Sequence, residues 1–402
     1  MIKRYVPLHA LNAAEKRMLL AAWVAGIAQG FAQSHATNTL PFSRLTFGLS
    51  EAEMANVLAI TRIGALAALF IAMAADRRGR KAPLIFSFAV MVLAAGATGW
   101  AATATQFTIF QTVMRGATTT AGVLIVVLLA ETFRPGFRAF GMGMYAAAAS
   151  LGAGLSLLLL PLAEQSPDSW QTLFRLSLLG LIALPLLVVL PNLPTPDAPR
   201  RAVWRPLAKP HSAHFWPLGI AAAGFAAFVA VQVGFAQERF INDLGLAAST
   251  IVPISLVAST LGGAGFFLGG SFADRFGRRP VSIGAFGLAG VGGIGMYYAD
   301  SLFVIAVSIF LAAFGAFAAG PAAAAHRNEL FPTEVRASAI AWVTNLQVTG
   351  TVIGLATAGL LLDRIGLSAT VLVLGSGILV AMGLTAVLPE TKGTVLLTEP
   401  VD

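Results

Sequence analysis

Two short runs gather the charges able to bond one another. Asp76-Arg77-Arg78-Gly79-Arg80-Lys81 and Asp274-Arg275-Phe276-Gly277-Arg278-Arg279 each set an acid just before guanidinium groups, with a glycine in the same place. Glycine admits the tight turn that a Cβ would obstruct, and arginine offers a planar fork of donors that fits a carboxylate. Glu131 with Arg138, and Glu329 with Arg336, supply further partners. The chemistry is ion pairing at the ends of helices. A second group is Arg62 and Arg115, two cations inside otherwise apolar stretches. There the chemistry is the holding of an anion or the tethering of a helix to backbone carbonyls. No cysteine, metal-ligand cluster, phosphate loop or nucleophile with a base is present, so no enzyme reading competes, and no metal or cofactor is expected.

The elements that carry these residues follow from composition. Of 402 residues, 57% are hydrophobic and 11% charged, with a mean hydropathy of +0.80. That excludes a soluble or disordered chain. A membrane helix needs roughly 20 apolar residues. Apolar stretches fall at 18–36, 53–75, 83–103, 107–130, 141–162, 171–192, 214–237, 250–272, 281–299, 302–325, 338–361 and 368–388. The expectation is an all-α membrane protein of twelve transmembrane helices. Lys and Arg number 26; 20 fall on the side that carries both termini and 4 on the other. The excess places both termini in the cytoplasm, in a plasma (inner) membrane protein. It also accounts for the net charge of +8 without nucleic acid.

A basic, proline-rich stretch interrupts the pattern, so the chain divides into a six-helix bundle at 1–190, a cytoplasmic linker at 191–213 and a second bundle at 214–402. The two charged runs lie 198 residues apart. At the same offset Glu131, Phe133 and Arg138 recur as Glu329, Phe331 and Arg336. One register for several matches indicates a duplicated six-helix unit and two pseudo-symmetric bundles.

The run Gly270-Ser271-Phe272-Ala273-Asp274-Arg275-Phe276-Gly277-Arg278-Arg279 resembles the signature loop of the major facilitator superfamily at every defining position. The first copy differs in having Ala72 where the leading glycine is usual. With the twelve stretches and the duplication, the resemblance covers the whole chain. It implies a secondary transporter working by alternating access, in which Asp76, Arg77, Arg80, Glu131, Arg138, Asp274, Arg275, Arg278, Glu329 and Arg336 form a lock that closes one access state. The competing reading is a topogenic cluster that only anchors helix ends. Glu329-Leu330-Phe331-Pro332-Thr333-Glu334-Val335-Arg336 and Pro389-Glu390-Thr391-Lys392-Gly393 resemble the sugar porters, metabolite symporters and organic-ion relatives. Val231-Gln232-Val233-Gly234-Phe235 lacks the paired glutamines of sugar porters, and the fifth stretch lacks the Gly-Pro kink of drug antiporters.

Substrate candidates are polar groups on helical faces. Thr108, Gln111, Thr112, Arg115, Thr118, Thr119 and Gly122 recur every three or four residues, either lining a cavity or packing helices through their hydroxyls. Arg62 lies 14 residues before Asp76 and Arg115 lies 16 before Glu131, so the two sit at similar depths, roughly 21 and 24 Å in. A bare intramembrane arginine costs about 2.5–3.5 kcal/mol and should meet water, carbonyls or a ligand. Gln29 and Gln33, Gln232 among Phe225, Phe228 and Phe235, and Asn345 with Trp342 and Thr349 complete the set. No acid lies deep in a stretch, and His35, at a helix end, reads as a solvated polar group. Protons or a counter-anion are the coupling species this leaves open, and facilitated diffusion by a uniporter or anion exchange fits the lack of acids at least as well as a proton symporter. The partners expected are a small organic solute, anionic by this reading, and the bilayer, with the protein a monomer. Export of amphipathic or cationic compounds is the alternative, or a non-transporting receptor on the same fold.

Overall fold

In a computed structural model the described residues are 11–134, 137–190, 207 and 210–393, and their regular elements are helices. They run as α1 (Ala13–Asn38), α2 (Leu40–Thr46), α3 (Glu51–Arg78), α4 (Lys81–Thr98), α5 (Ala104–Thr132), α6 (Arg138–Leu158), α7 (Trp170–Leu176) and α8 (Ala183–Val188). After the expected linker, most of which lies outside the described residues, come α9 (Ser212–Gly234), α10 (Ala236–Glu238), α11 (Ala248–Gly262), α12 (Gly265–Phe276) and α13 (Arg278–Tyr298). The chain continues through α14 (Leu302–Leu330), α15 (Thr333–Ile365), α16 (Leu367–Leu374) and α17 (Ser376–Val387).

Ten helical stretches among the described residues are long and apolar enough to cross a membrane. The expected stretches 18–36 and 53–75 are helical as well, within α1 and α3, but these two fall outside the ten. For α1 its composition gives the reason, with Glu15, Lys16, Arg17, Gln29, Gln33 and His35; in α3 the side chains of 67–78 lie outside the described residues. Several expected stretches are not single uniform helices, three of them well inside their bounds. The sixth tightens into a 3-10 segment at Ser177–Ile182 between α7 and α8, the eighth breaks at Gly263 and Ala264, and the last breaks at Gly375. Glycine sits at or beside each break and weakens helix propagation there.

The described chain forms two compact units, residues 1–49 with 60–197, and 50–59 with 198–402. Within the first, α1 packs on α6 and α4 on α5; within the second, α9 packs on α15 and α13 on α14. These pairs correspond at the 198-residue offset, so the duplication read from charged loops extends to helix pairing. The first unit is filled by Phe88, Met91, Met114, Leu124 and Phe133 among many alanines. The second has a cluster of Phe215, Phe331, Val335, Val343 and Leu388 at the helix ends.

Candidate functional site

The charged loops take the form their glycines allow. Gly79 and Gly277 have φ of 94° and 110°, a region that side chains with a Cβ rarely enter. In the second unit this turn delivers Arg278 into a network. Its Nη2 lies 3.0 Å from Asp274 and its Nε 3.0 Å from Glu329, while Nη1 donates to the Ala273 carbonyl at 2.9 Å. Glu390 accepts from the backbone N–H groups of Arg278 at 2.8 Å, Arg279 at 3.0 Å and Lys392 at 2.9 Å. The Thr391 hydroxyl donates to Glu329 at 2.6 Å. Partial burial alone would raise the Glu390 carboxyl, but the backbone donors, that of Arg278 first, override it and hold the group below its ordinary value.

In the first unit Arg80 pairs with Glu131, while the side chains of Asp76 and Arg77 lie outside the described residues. Arg138 donates to the Phe133 carbonyl at 3.1 Å and Arg336 to that of Phe331 at 3.2 Å, the same bond in both copies. Arg275 is exposed, its guanidinium over the Phe276 ring. Sequence reasoning missed the acid that closes this end. Glu15 is inaccessible and receives a bidentate fork from Arg134, at 2.9 Å from both Nε and Nη2. It also completes a capping box with Asn12. The Asn-x-x-Glu spacing was the available signal.

The cation pair stands on α3 and α5, which approach closely: a Cβ on Gly64 would lie 2.1 Å from the Thr112 carbonyl, and one on Gly116 2.8 Å from the Gly64 carbonyl. Arg115 is 4% exposed. It donates one bond, to the Gln33 carbonyl at 2.9 Å, and its Nε is buried without a partner. Arg62 is half-buried, and its Nε also lacks a partner. The charge of Arg62 acts on Arg115, and no carboxylate among the described residues pairs with either. Neither guanidinium is saturated by carbonyls.

The other candidates are tied more locally. Gln29 donates to the Thr118 carbonyl at 2.8 Å and accepts from the Tyr145 hydroxyl. Gln111 donates to Thr98 at 2.9 Å, though its Oε1 has no partner. Thr108, Thr112 and Thr119 donate to carbonyls four residues back, as threonines in apolar helices do. The Gln33 side chain is exposed. In the second unit Gln232 bonds the Met296 sulfur, and Tyr297 donates to the Gln232 carbonyl at 2.7 Å. Asn345 is half-buried, its carbonyl taking the Thr349 hydroxyl. His35 is not solvated: it is fully buried against Phe31 and Phe174 with Ser156 at 2.9 Å from Nδ1, because α1 continues past it and turns it toward α6.

Comparison with known proteins decides the family. The model of the Major Facilitator Superfamily matches residues 22–271 and 235–398. The chain belongs to the major facilitator superfamily. It is therefore an integral, multi-pass membrane protein with the helical fold of transporters. Among superfamily relatives, an Escherichia coli (strain K12) protein named for metabolite transport, YaaU, is 32% identical over 122 residues, which is 29% of this chain and 27% of that one. Plastidic glucose transporter 4 of Arabidopsis thaliana is 34% identical over 114 residues, 26% of this chain and 19% of the transporter. The matched stretches thus span about a quarter or less of either relative. Solved superfamily folds cover far more. A D-xylose-proton symporter superposes with a TM-score of 0.78 at 20% identity, over 96% of this chain and 100% of that one. The nucleoside transporter NupG gives 0.76 at 14%, over 92% and 99%. At such identities the likeness is one of fold.

Proposed function

We propose that the chain is a secondary transporter that carries a small organic anion or metabolite by alternating access, with Arg62 and Arg115 holding the acidic group of the solute. The observation that carries this reading is the pair itself: two guanidinium groups with no carboxylate partner among the described residues and a buried, unused donor on each. Buried charge without a counter-charge is costly, and an anionic solute supplies the missing one. Twelve crossings, the bundles at 1–190 and 214–402 with the cytoplasmic linker at 191–213, and both termini in the cytoplasm complete the reading, with the lysine and arginine bias as support. The protein works as a monomer in the plasma (inner) membrane. A proton or a counter-anion balances the charge moved. Gln29, Gln33, Gln111, Thr119, Gln232 and Asn345 shape the solute's surroundings.

Binding and uptake by the full chain in proteoliposomes test this. An organic acid should bind, and Arg62→Ala or Arg115→Ala should weaken it by about tenfold or more, the loss of one charge-assisted bond. Lysine should restore only part, since it keeps the charge and loses the fork. Equal loss for neutral solutes, or variants that fold and take up acids normally, would overturn the assignment.

A further inference from the structure

The second unit holds a partly open cavity of about 110 Å³. A single water needs ~10–15 Å³, so the space fits a small organic molecule. It is bounded by α9, α13, α14, α15 and α17, and most of its wall is apolar, including the paired rings of Phe225 and Phe286, whose centroids lie 4.8 Å apart. The polar groups in the wall are Ser282, Arg327, His326, Gln347 and Thr385. None of the lining residues is an acid.

Two of these groups are unused. Ser282 is 1% exposed and its hydroxyl has no partner. The Nε of Arg327 is buried and lacks a partner among the described residues. His326 is spoken for, lying 2.9 Å from the Pro389 carbonyl. A guanidinium Nε and a hydroxyl without partners among the described residues ask for an oxygen acceptor, and a cation in an apolar wall asks for a negative one. The wall asks in turn for an apolar body. An inorganic anion would leave the rings unused, and an uncharged solute would leave Arg327 unpaired.

We infer that this cavity binds a small monocarboxylate, its carboxylate held by Arg327 and Ser282 and its apolar body lying against Phe225 and Phe286. The site belongs to the second unit alone and shares no residue with the Arg62 and Arg115 pair.

Equilibrium binding of benzoate to the purified full chain tests the inference, run on the Arg115→Ala background so that the first unit's pair does not contribute. Benzoate should bind and raise the melting temperature, while benzyl alcohol and inorganic phosphate should bind at least tenfold more weakly. Arg327→Gln should weaken benzoate by tenfold or more, and Ser282→Ala by several-fold. Should Arg327→Gln fail to fold, Ala323→Leu, which fills the cavity with a longer apolar side chain, should abolish binding in a folded protein. Benzoate affinity unchanged in Ala323→Leu, or equal affinity for benzyl alcohol, overturns the site. Failure of the Arg62 and Arg115 assignment would leave these results untouched, since neither residue is read in them.

Discussion

The two copies of the charged loop are alike where the duplication reaches and unlike where it does not. Arg80 with Glu131 and Arg278 with Glu329 keep the same pairing at the 198-residue offset, and so do the carbonyl bonds of Arg138 and Arg336. The acid that closes each end comes from elsewhere. In the first unit it is Glu15, at the start of α1, inaccessible and gripped by Arg134. In the second it is Glu390, beyond α17 and exposed, held mainly by backbone N–H groups. The 198-residue offset puts Ala213 and Pro332 where the first unit has Glu15 and Arg134. A pair shared by both copies of the repeat has thus been finished by different means, once with a buried carboxylate and once with an exposed one.

The largest effect should come from breaking the shared element. Arg278→Ala removes three side-chain partners at once and should lower transport turnover roughly tenfold or more in proteoliposomes while solute affinity stays measurable. Arg80→Ala is the matched variant. If turnover is normal in both, the loops only anchor helix ends. The next effect concerns the closing acids. Glu15→Gln should lower the melting temperature by several degrees, because it leaves Arg134 and the capping box without their charge, whereas Glu390→Gln, in a solvated site, should lower it by less. Equal shifts would erase the contrast drawn here. The smallest and sharpest effect lies in pH. The Arg134 hydrogen bond, against the opposing cost of burial, holds the Glu15 carboxyl down at about 2 from an ordinary 4.5. A depressed carboxyl stabilises the folded state fully above its unfolded value and loses that stabilisation as pH falls toward its folded value. The melting-temperature gap between wild type and Glu15→Gln should therefore be constant above about pH 5 and shrink between 4.5 and 2.

How much of this was legible in the sequence depends on locality. The glycine turns, the acid–arginine pairs and the helix pairing follow from a periodic pattern and a single register, and both survive in the fold. Arg327 was hidden because the apolar stretch seemed to end at 325, whereas α14 runs on to Leu330 and carries it within the helix. His35 was misjudged because nothing near it in the chain reveals Ser156, 121 residues away, as its partner. The threonine stripe on α5 was visible, but the hydroxyls spend their donors on their own helix. Gln29 likewise finds Thr118 and Tyr145 only through packing.

The bond between Glu15 and Arg134 also has a consequence for how the molecule is made. Its partners are 119 residues apart, which at about 5–20 residues per second is roughly 6–24 s of synthesis. Through that interval the first helix has left the ribosome with its acid unmatched, and it gains its final seat only when the end of α5 arrives. The first unit is thus fastened late, by a latch whose two halves emerge 119 residues apart.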